Sequence, residues 1–315
     1  MKTLDHPNCI KLIGTVITPR GERIFIFPRC EMSLRQYLQK YPQLDYQSRM
    51  RILQEIASAI RYLHENHIIL KTINPDTIQI QNGHPVISDF GLMFSIQAIT
   101  DDLLFYLAPE LLLRPIATTA CDIYSFACLA ISTFQKDPLF HLSSPISAAT
   151  LVRVYSQGET PAMGHTVPLL IRCLVGDCLF SAPKRPSIAT LATRIDRIAQ
   201  EPFDAAIPIG DIEFRRVLGK GAYGVVYLAK FHGFDVAVKE LFDTVHNYQK
   251  YLDREITNQK SLDHPNCLKL YGMSIAEDSD GSQKTYLVME LGGKTLTQLL
   301  FRKQRVKFSY QEKVH

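Results

Sequence analysis

The phrase "LDHPNCIKLIG" at Leu4–Gly14 recurs as "LDHPNCLKLYG" at Leu262–Gly272, with nine of eleven positions identical. Repeats of about 20–50 residues build solenoids and propellers. Here the copies stand 258 residues apart, which is the length of a whole domain. The likeness continues beyond the glycine. "SLRQYL" from Ser33 corresponds to "TLTQLL" from Thr295, and "YQSR" from Tyr46 to "YQEK" from Tyr310. The register drifts because "AEDSDGSQ" lengthens a loop in the second copy. In 315 residues this predicts two related domains, each represented in part, with Met1 standing where Gln259 stands in the second copy.

Hydrophobic patterning gives the two parts different textures. Two apolar runs around "PRGER" predict a hairpin over residues 15–30. "SRMRILQEIASAIRYLHENH" places Ile52, Ile56, Ile60 and Leu63 at helical spacing, an amphipathic helix with one buried stripe. Asn82-Gly83 in "IQIQNGHPVIS" is a two-residue hairpin signal. "CDIYSFACLAISTFQ" is apolar on nearly every face and predicts a helix buried inside a large domain. Helical segments run to about residue 198, where "QEPFDAAIPIGD" breaks the pattern with two prolines. From there "FRRVLGKGAYGVVYLAKFHGFDVAVKEL" alternates as strands do, and "YQKYLDREITNQKSL" reads as a helix. The expectation is an α+β chain, with a mostly helical domain over 1–198, a linker over 199–210 and an antiparallel-sheet block within 211–315.

Composition narrows the functional classes. A hydrophobic content of 46% and a charged content of 21% suit a globular chain with a real core. A net charge of +4 gives no footprint for nucleic acid or an anionic membrane. The one basic cluster, Arg302, Lys303, Arg305 and Lys307, reads as a solvated helix face. Seven dispersed cysteines with no C-x-x-C pair point to reduced thiols in a cytoplasmic setting. "MKTLDHPNCI" has no apolar signal region, and no run approaches the roughly 18 apolar residues of a membrane span.

The glycines of "LGKGAYGVV", Gly219, Gly221 and Gly224, form G-x-G-x-x-G. A dinucleotide site needs the last glycine to open a helix. "VVYLAKF" instead continues as a strand, so the glycines lie at a strand–turn–strand bend where backbone N–H groups approach phosphate oxygens. "VAVK" then puts Lys239 on the next strand, and Glu255 on the following helix is its natural counter-ion. Glycine loop, strand lysine and helical glutamate together resemble the small lobe of a eukaryotic protein kinase over about 211–293. The resemblance implies an ATP site of Leu218, Gly219, Gly221, Gly224, Val226, Ala237 and Lys239. Met289 would be the gatekeeper, and Glu290, Leu291 and Gly292 the hinge for adenine.

The helical block resembles the large lobe of the same family. "SDFG" at Ser88–Gly91 matches D-F-G, which implies Asp89 as a magnesium ligand. Ala108, Pro109 and Glu110 match A-P-E; Asp122 matches the brace of the catalytic loop, and Arg185 the partner of the A-P-E glutamate. The catalytic loop departs from the pattern. Where the family reads H-R-D-L-K-P-x-N, this chain reads "LKTINPDT". Aligned on Pro75, Leu70, Lys71 and Thr72 replace H-R-D, Asn74 replaces the lysine and Thr77 the metal-binding asparagine. Thr72 cannot accept a proton as a carboxylate does, so this copy has no catalytic residue at the base position. Asp76, four residues on, reads as a turn carboxylate. Ser95 and Thr100 lie in a short activation segment and read as ordinary exposed hydroxyls.

Two readings follow from the resemblance. One is an ATP:protein phosphotransferase of the Ser/Thr type, suggested by Pro75 and closest to the tyrosine-kinase-like branch, using ATP and magnesium on a protein substrate. The other is a pseudokinase that binds and regulates a kinase partner. The first copy looks degenerate, and the second would stop as its large lobe begins. This chain is therefore expected to be weakly active or inactive.

Overall fold

The amphipathic segment beginning near Tyr46 forms the central helix of the first of two units. The computed structural model describes residues 4–90, 101–114, 116–142, 147–164, 166–200, 207–221, 224–231, 233–242, 267–277 and 283–293. The chain divides into two compact units, residues 1–203 and 204–315.

In the first unit, β1 (Gly14–Ile17) and β2 (Arg23–Ile26) make a two-stranded antiparallel sheet around the expected turn. A three-stranded sheet follows in the order β3 (Met32–Ser33), β4 (Ile78–Gln81), β5 (His84–Ile87). Asn82 and Gly83 turn the β4–β5 hairpin with φ of 52° and 77°. That is the left-handed pair a two-residue hairpin requires. Between β3 and β4 run α1 (Leu34–Lys40) and α2 (Tyr46–Glu65). Ser33 and Gln36 close α1 with a reciprocal capping box. Asp45 caps α2 by accepting from the Ser48 N–H at 2.6 Å. The stripe of α2 is fully buried at Leu53, Ile56, Ile60 and Leu63.

Beyond the β5 hairpin come α3 (Asp101–Leu104), α4 (Pro109–Leu113), α5 (Thr119–Phe134), α6 (Ala148–Ser156), α7 (Leu169–Gly176) and α8 (Ile188–Gln200). Every residue from Cys121 to Ile131 of α5 is buried, as its all-round apolar sequence predicts. Because α5 is surrounded by protein, its single carboxylate, Asp122, has no solvent and must find donors within the fold.

The structure also explains what the repeated phrase does in its first copy. Asn8 donates to Glu55 of α2 at 2.9 Å and to the Pro85 carbonyl of β5 at 2.8 Å. Its own carbonyl accepts from the Ile87 N–H at 2.8 Å. His6 stacks on Tyr62 at 5.2 Å and meets the Ser58 hydroxyl at 3.2 Å. The phrase ties α2 to the β4–β5 hairpin. Residues 262–266 of the second copy lie outside the described residues, as do Gly91, Ser95, Thr100, Glu255, the helix expected around it and the basic cluster from Arg302.

The second unit is a five-stranded antiparallel sheet in the order β6 (Ile212–Gly221), β7 (Gly224–Phe231), β8 (Phe234–Leu241), β10 (Gln283–Glu290), β9 (Leu270–Glu277). Val236, Val238, Leu287 and Val288 form its fully buried centre. Helices first and an antiparallel sheet last agree with the α+β expectation.

Candidate nucleotide site and catalytic loop

In the first unit the loop from Leu70 to Thr77 is held by the buried carboxylate of α5. Asp122 accepts from the Leu70 N–H at 2.9 Å, the Lys71 N–H at 2.7 Å and His64 Nε2 at 2.8 Å. Its side chain is wholly buried, so these three donors replace its hydration. They also hold Lys71 in the left-handed region at φ 70°. The brace expected of Asp122 is therefore in place.

The brace presents a loop whose polar side chains bond mainly within the loop or to Arg35. The Thr72 hydroxyl is buried and has no hydrogen-bond partner among the described residues. Asn74, buried in place of a lysine, folds back to accept from the Asp76 and Thr77 N–H groups at 2.9 and 3.1 Å. Thr77 donates its hydroxyl to the Asn74 carbonyl at 3.1 Å. Asp76, the spare carboxylate of the loop, is gripped by Arg35, whose Nε lies 2.9 and 3.0 Å from its two oxygens and whose terminal nitrogen lies at 2.8 Å. The bidentate guanidinium occupies the lone pairs a base would use. Asp89 is exposed at the end of the segment, beside the buried Phe90.

The second structural pair of the lobe is complete. Arg185 meets Glu110 at 2.5 and 2.9 Å, donates to the Ala120 and Phe180 carbonyls at 2.8 Å, and lies over the Tyr124 ring at 5.1 Å. Burial pushes the Glu110 carboxyl up, but the hydrogen bond and charge of Arg185 outweigh it, and the net shift is downward. Cys121, which donates to Glu110, has its thiol pushed up to about 11, chiefly by burial. It is a structural thiol, not a nucleophile.

In the second unit the expected nucleotide residues share one sheet. Gly219 pairs with Val226, Val226 with Lys239 and Lys239 with Leu287. Two residues along each strand, Leu228, Ala237 and Met289 form a parallel row. Alternation places both rows on one face. Leu218 sits at a bulge of β6, between the pairs made by Val217 and Gly219. The three glycines are not equivalent. A side chain at Gly219 or Gly221 would meet nothing within 4 Å, whereas a Cβ on Gly224 would lie 2.0 Å from the Glu240 carbonyl oxygen. The first two therefore leave space above the bend, and the third permits β7 to lie on β8. At the end of β10, the Glu290 N–H donates to the Lys269 carbonyl at 2.8 Å, and its carboxylate accepts from the Lys269 N–H at 3.3 Å, with Leu291 and Gly292 following.

This arrangement fits a nucleoside triphosphate: open backbone at the glycine bend for phosphates, a lysine one strand away, and the small Ala237 opposite Met289 to admit a flat ring. The fit for magnesium is poorer. Asp89 is present, but threonine stands at the second ligand position, and no group of three metal-binding side chains occurs among the described residues. Glu255, the expected partner of Lys239, falls outside them.

Two residues that matter to the loop were not marked by any motif: Arg35 and His64. They act across 41 and 58 positions of chain, on Asp76 and Asp122.

Comparison with known proteins follows these elements. The description "Protein kinase domain" matches residues 1–193, and "Protein tyrosine and serine/threonine kinase" matches 212–315. Cyclin-dependent kinase 4 of Xenopus laevis is 31% identical over 152 residues, covering 44% of this chain and 48% of that protein. The mouse protein of that name is 31% identical over 152 residues, covering 44% and 50%. A mitogen-activated protein kinase kinase kinase 7-like protein of Drosophila melanogaster is 27% identical over 240 residues, covering 72% of this chain and 59% of its own length. The chain thus spans about half the length of the cyclin-dependent kinases it matches. With the family description covering well over half of the chain, and with the braced loop, the Glu110–Arg185 pair and the glycine-bend sheet in their places, this chain belongs to the protein kinase family.

Proposed function

We propose that this chain is a kinase-family regulatory module built from parts of two tandem domains, 1–198 and 211–315 joined by a linker over 199–210. Its first domain is a pseudokinase, and its second binds ATP. The observation that carries this reading is Thr72. It occupies the base position of a loop whose brace is intact, and the loop's own carboxylate, Asp76, is committed to Arg35. A positioned general base contributes roughly 10²–10⁴ in rate. A hydroxyl cannot replace it at neutral pH, so the frame is kept without the chemistry.

ATP would be taken by the face carrying Val226, Ala237, Lys239 and Met289, with phosphates over Gly219 and Gly221. In the first domain Asp89 would be a magnesium ligand. The family's activity is phosphotransfer to protein hydroxyls of the Ser/Thr type, so the partner would be a protein: a substrate, or a kinase that the first domain regulates. All seven cysteines are free thiols, which favours a reducing, cytoplasmic setting.

The test is incubation of the full chain with γ-labelled ATP, magnesium and a generic protein substrate. The expected result is incorporation no higher than background. Robust incorporation that Lys239→Ala abolishes would establish the enzymatic reading instead.

A further inference from the structure

We propose that Ile207, in the segment expected to link the two domains, is a positioning residue for the base end of the nucleotide face, and that through it the linker regulates nucleotide affinity. The inference rests on the assignment of ATP to the second sheet.

The segment from Ile207 to Ile212 joins the two outermost strands of that sheet. At one end the Ile207 N–H donates to the Met273 carbonyl of β9 at 2.6 Å. At the other, Ile212 opens β6 and pairs with Phe231 of β7. Both isoleucines are buried. Between them Pro208 leads into one tight turn over Ile209–Asp211, closed by the Asp211 N–H on the Pro208 carbonyl at 3.0 Å. β6 and β9 stand at opposite ends of the strand order, so in a flat sheet four inter-strand spacings would hold them about 19 Å apart. The five residue steps from Ile207 to Ile212 reach at most about 18 Å when fully extended, and the turn shortens that. The segment is a strap that can span only a curled sheet.

Side-chain contacts show the same curl. The Phe214 ring on β6 lies 5.4 Å from Tyr227 on β7 and 5.5 Å from Tyr286 on β10, although β7 and β8 separate β6 from β10 in the sheet. Tyr227 pairs with Val238, one residue from the Val226–Lys239 pair, so alternation puts this cluster on the face opposite Lys239. Val236, Val238 and Val288 are fully buried. The nucleotide face is the other side of the same curved sheet, so its shape depends on how the curl is closed.

Ile207 closes it beside the residues expected to meet adenine. Its side chain takes the space that a Cβ on Gly272 would need, with Cδ1 3.0 Å and Cγ1 3.2 Å from that position. Gly272 pairs with Val288, and the ladder shifts register at the next residue, where Met289 pairs with Leu270. The shift sets where Met289 projects, and Ile207 packs against the strand pair just before it. Withdrawing Ile207 by a pull on the linker would free β9 to move against β10 at this point. Gly219, Gly221 and Lys239 lie on other strands and would keep their pairing. Coupling of this kind is reciprocal: a seated Ile207 favours nucleotide, and nucleotide favours the seated Ile207.

The test measures Mg-ATP affinity of the full chain by isothermal titration calorimetry, for wild type, Ile207→Ala, Ile207→Val and Phe231→Leu, each first shown to be folded by circular dichroism. Ile207→Ala is expected to weaken binding by about fivefold or more. Ile207→Val should restore most of it. Phe231→Leu, a buried change beside the β7–β8 turn, should leave it unchanged. Hydrogen exchange of wild type needs no variant: Mg-ATP should slow exchange of the Ile207 amide. Unchanged affinity in Ile207→Ala, an equal loss in Phe231→Leu, or an Ile207 amide indifferent to Mg-ATP overturns the proposal while ATP still binds the sheet. Failure of wild type to bind ATP overturns the nucleotide reading itself, and this inference with it.

Discussion

β1–β2 and β9–β10 are one hairpin in two settings. Their registers agree residue for residue, yet Leu287 is fully buried while Phe25 is 45% exposed. Local sequence and turn position set which residues pair. Burial is decided by what lies beyond the hairpin. The same division runs through the catalytic loop. Asp122 and the Glu110–Arg185 pair build the frame wherever the surrounding helices fold, whereas reactivity depends on single side chains such as Thr72 that the frame does not select.

Substitutions at matched positions sharpen this comparison. The largest effect is expected from Leu287→Ala, which should destabilise the second unit by about 2–5 kcal/mol, the usual range for emptying a buried leucine site. Denaturant unfolding of the full chain checks it, and the transition of the first unit should not move. Gly224→Ala comes next. The added methyl would lie 2.0 Å from the Glu240 carbonyl oxygen, so β7 and β8 must separate, at about 1–3 kcal/mol. Gly219→Ala and Gly221→Ala, placed in open space, should leave stability nearly unchanged.

A pH series separates the frame of the first unit from the sheet of the second. The Glu110 carboxyl lies below its usual 4.5 because Arg185 outweighs its burial. In that window the unfolded chain holds more protons than the folded one, so stability rises with pH. The contribution is complete above about pH 4.5 and is lost as pH falls through the folded value. Acid unfolding of the first unit should therefore be less steep in Glu110→Gln, as followed by far-ultraviolet circular dichroism. The smallest effect is expected from Phe25→Ala, within about 0.5 kcal/mol, because the removed ring is already in water. A loss comparable to that of Leu287→Ala would mean that β2 is covered and would break the comparison.

Much of the fold was legible because its signals are local. The stripe of α2, the Asn82-Gly83 turn, the all-apolar α5 and the proline-marked break near residue 203 each state their own structure. The glycine bend was legible through the strand that follows it, although only the structure distinguishes Gly224 from the other two. The network around the catalytic loop was not legible. Arg35 lies 41 positions from Asp76, and His64 lies 58 from Asp122. No periodicity connects residues that only tertiary packing brings together. The reading of Asp76 as a turn carboxylate left open what would hold it; Arg35 does. The expected Lys239–Glu255 pair lies partly outside the described residues, so the nucleotide face rests on the sheet alone.

Thermal unfolding with and without Mg-ATP most directly tests the claim that nucleotide belongs to the second unit and only architecture to the first. A ligand that binds the folded state raises its melting temperature by mass action. The account predicts that Mg-ATP raises the melting of wild type and of Asp89→Asn alike, and does not raise that of Lys239→Met. A shift kept in Lys239→Met and lost in Asp89→Asn would contradict it and place the nucleotide in the first unit.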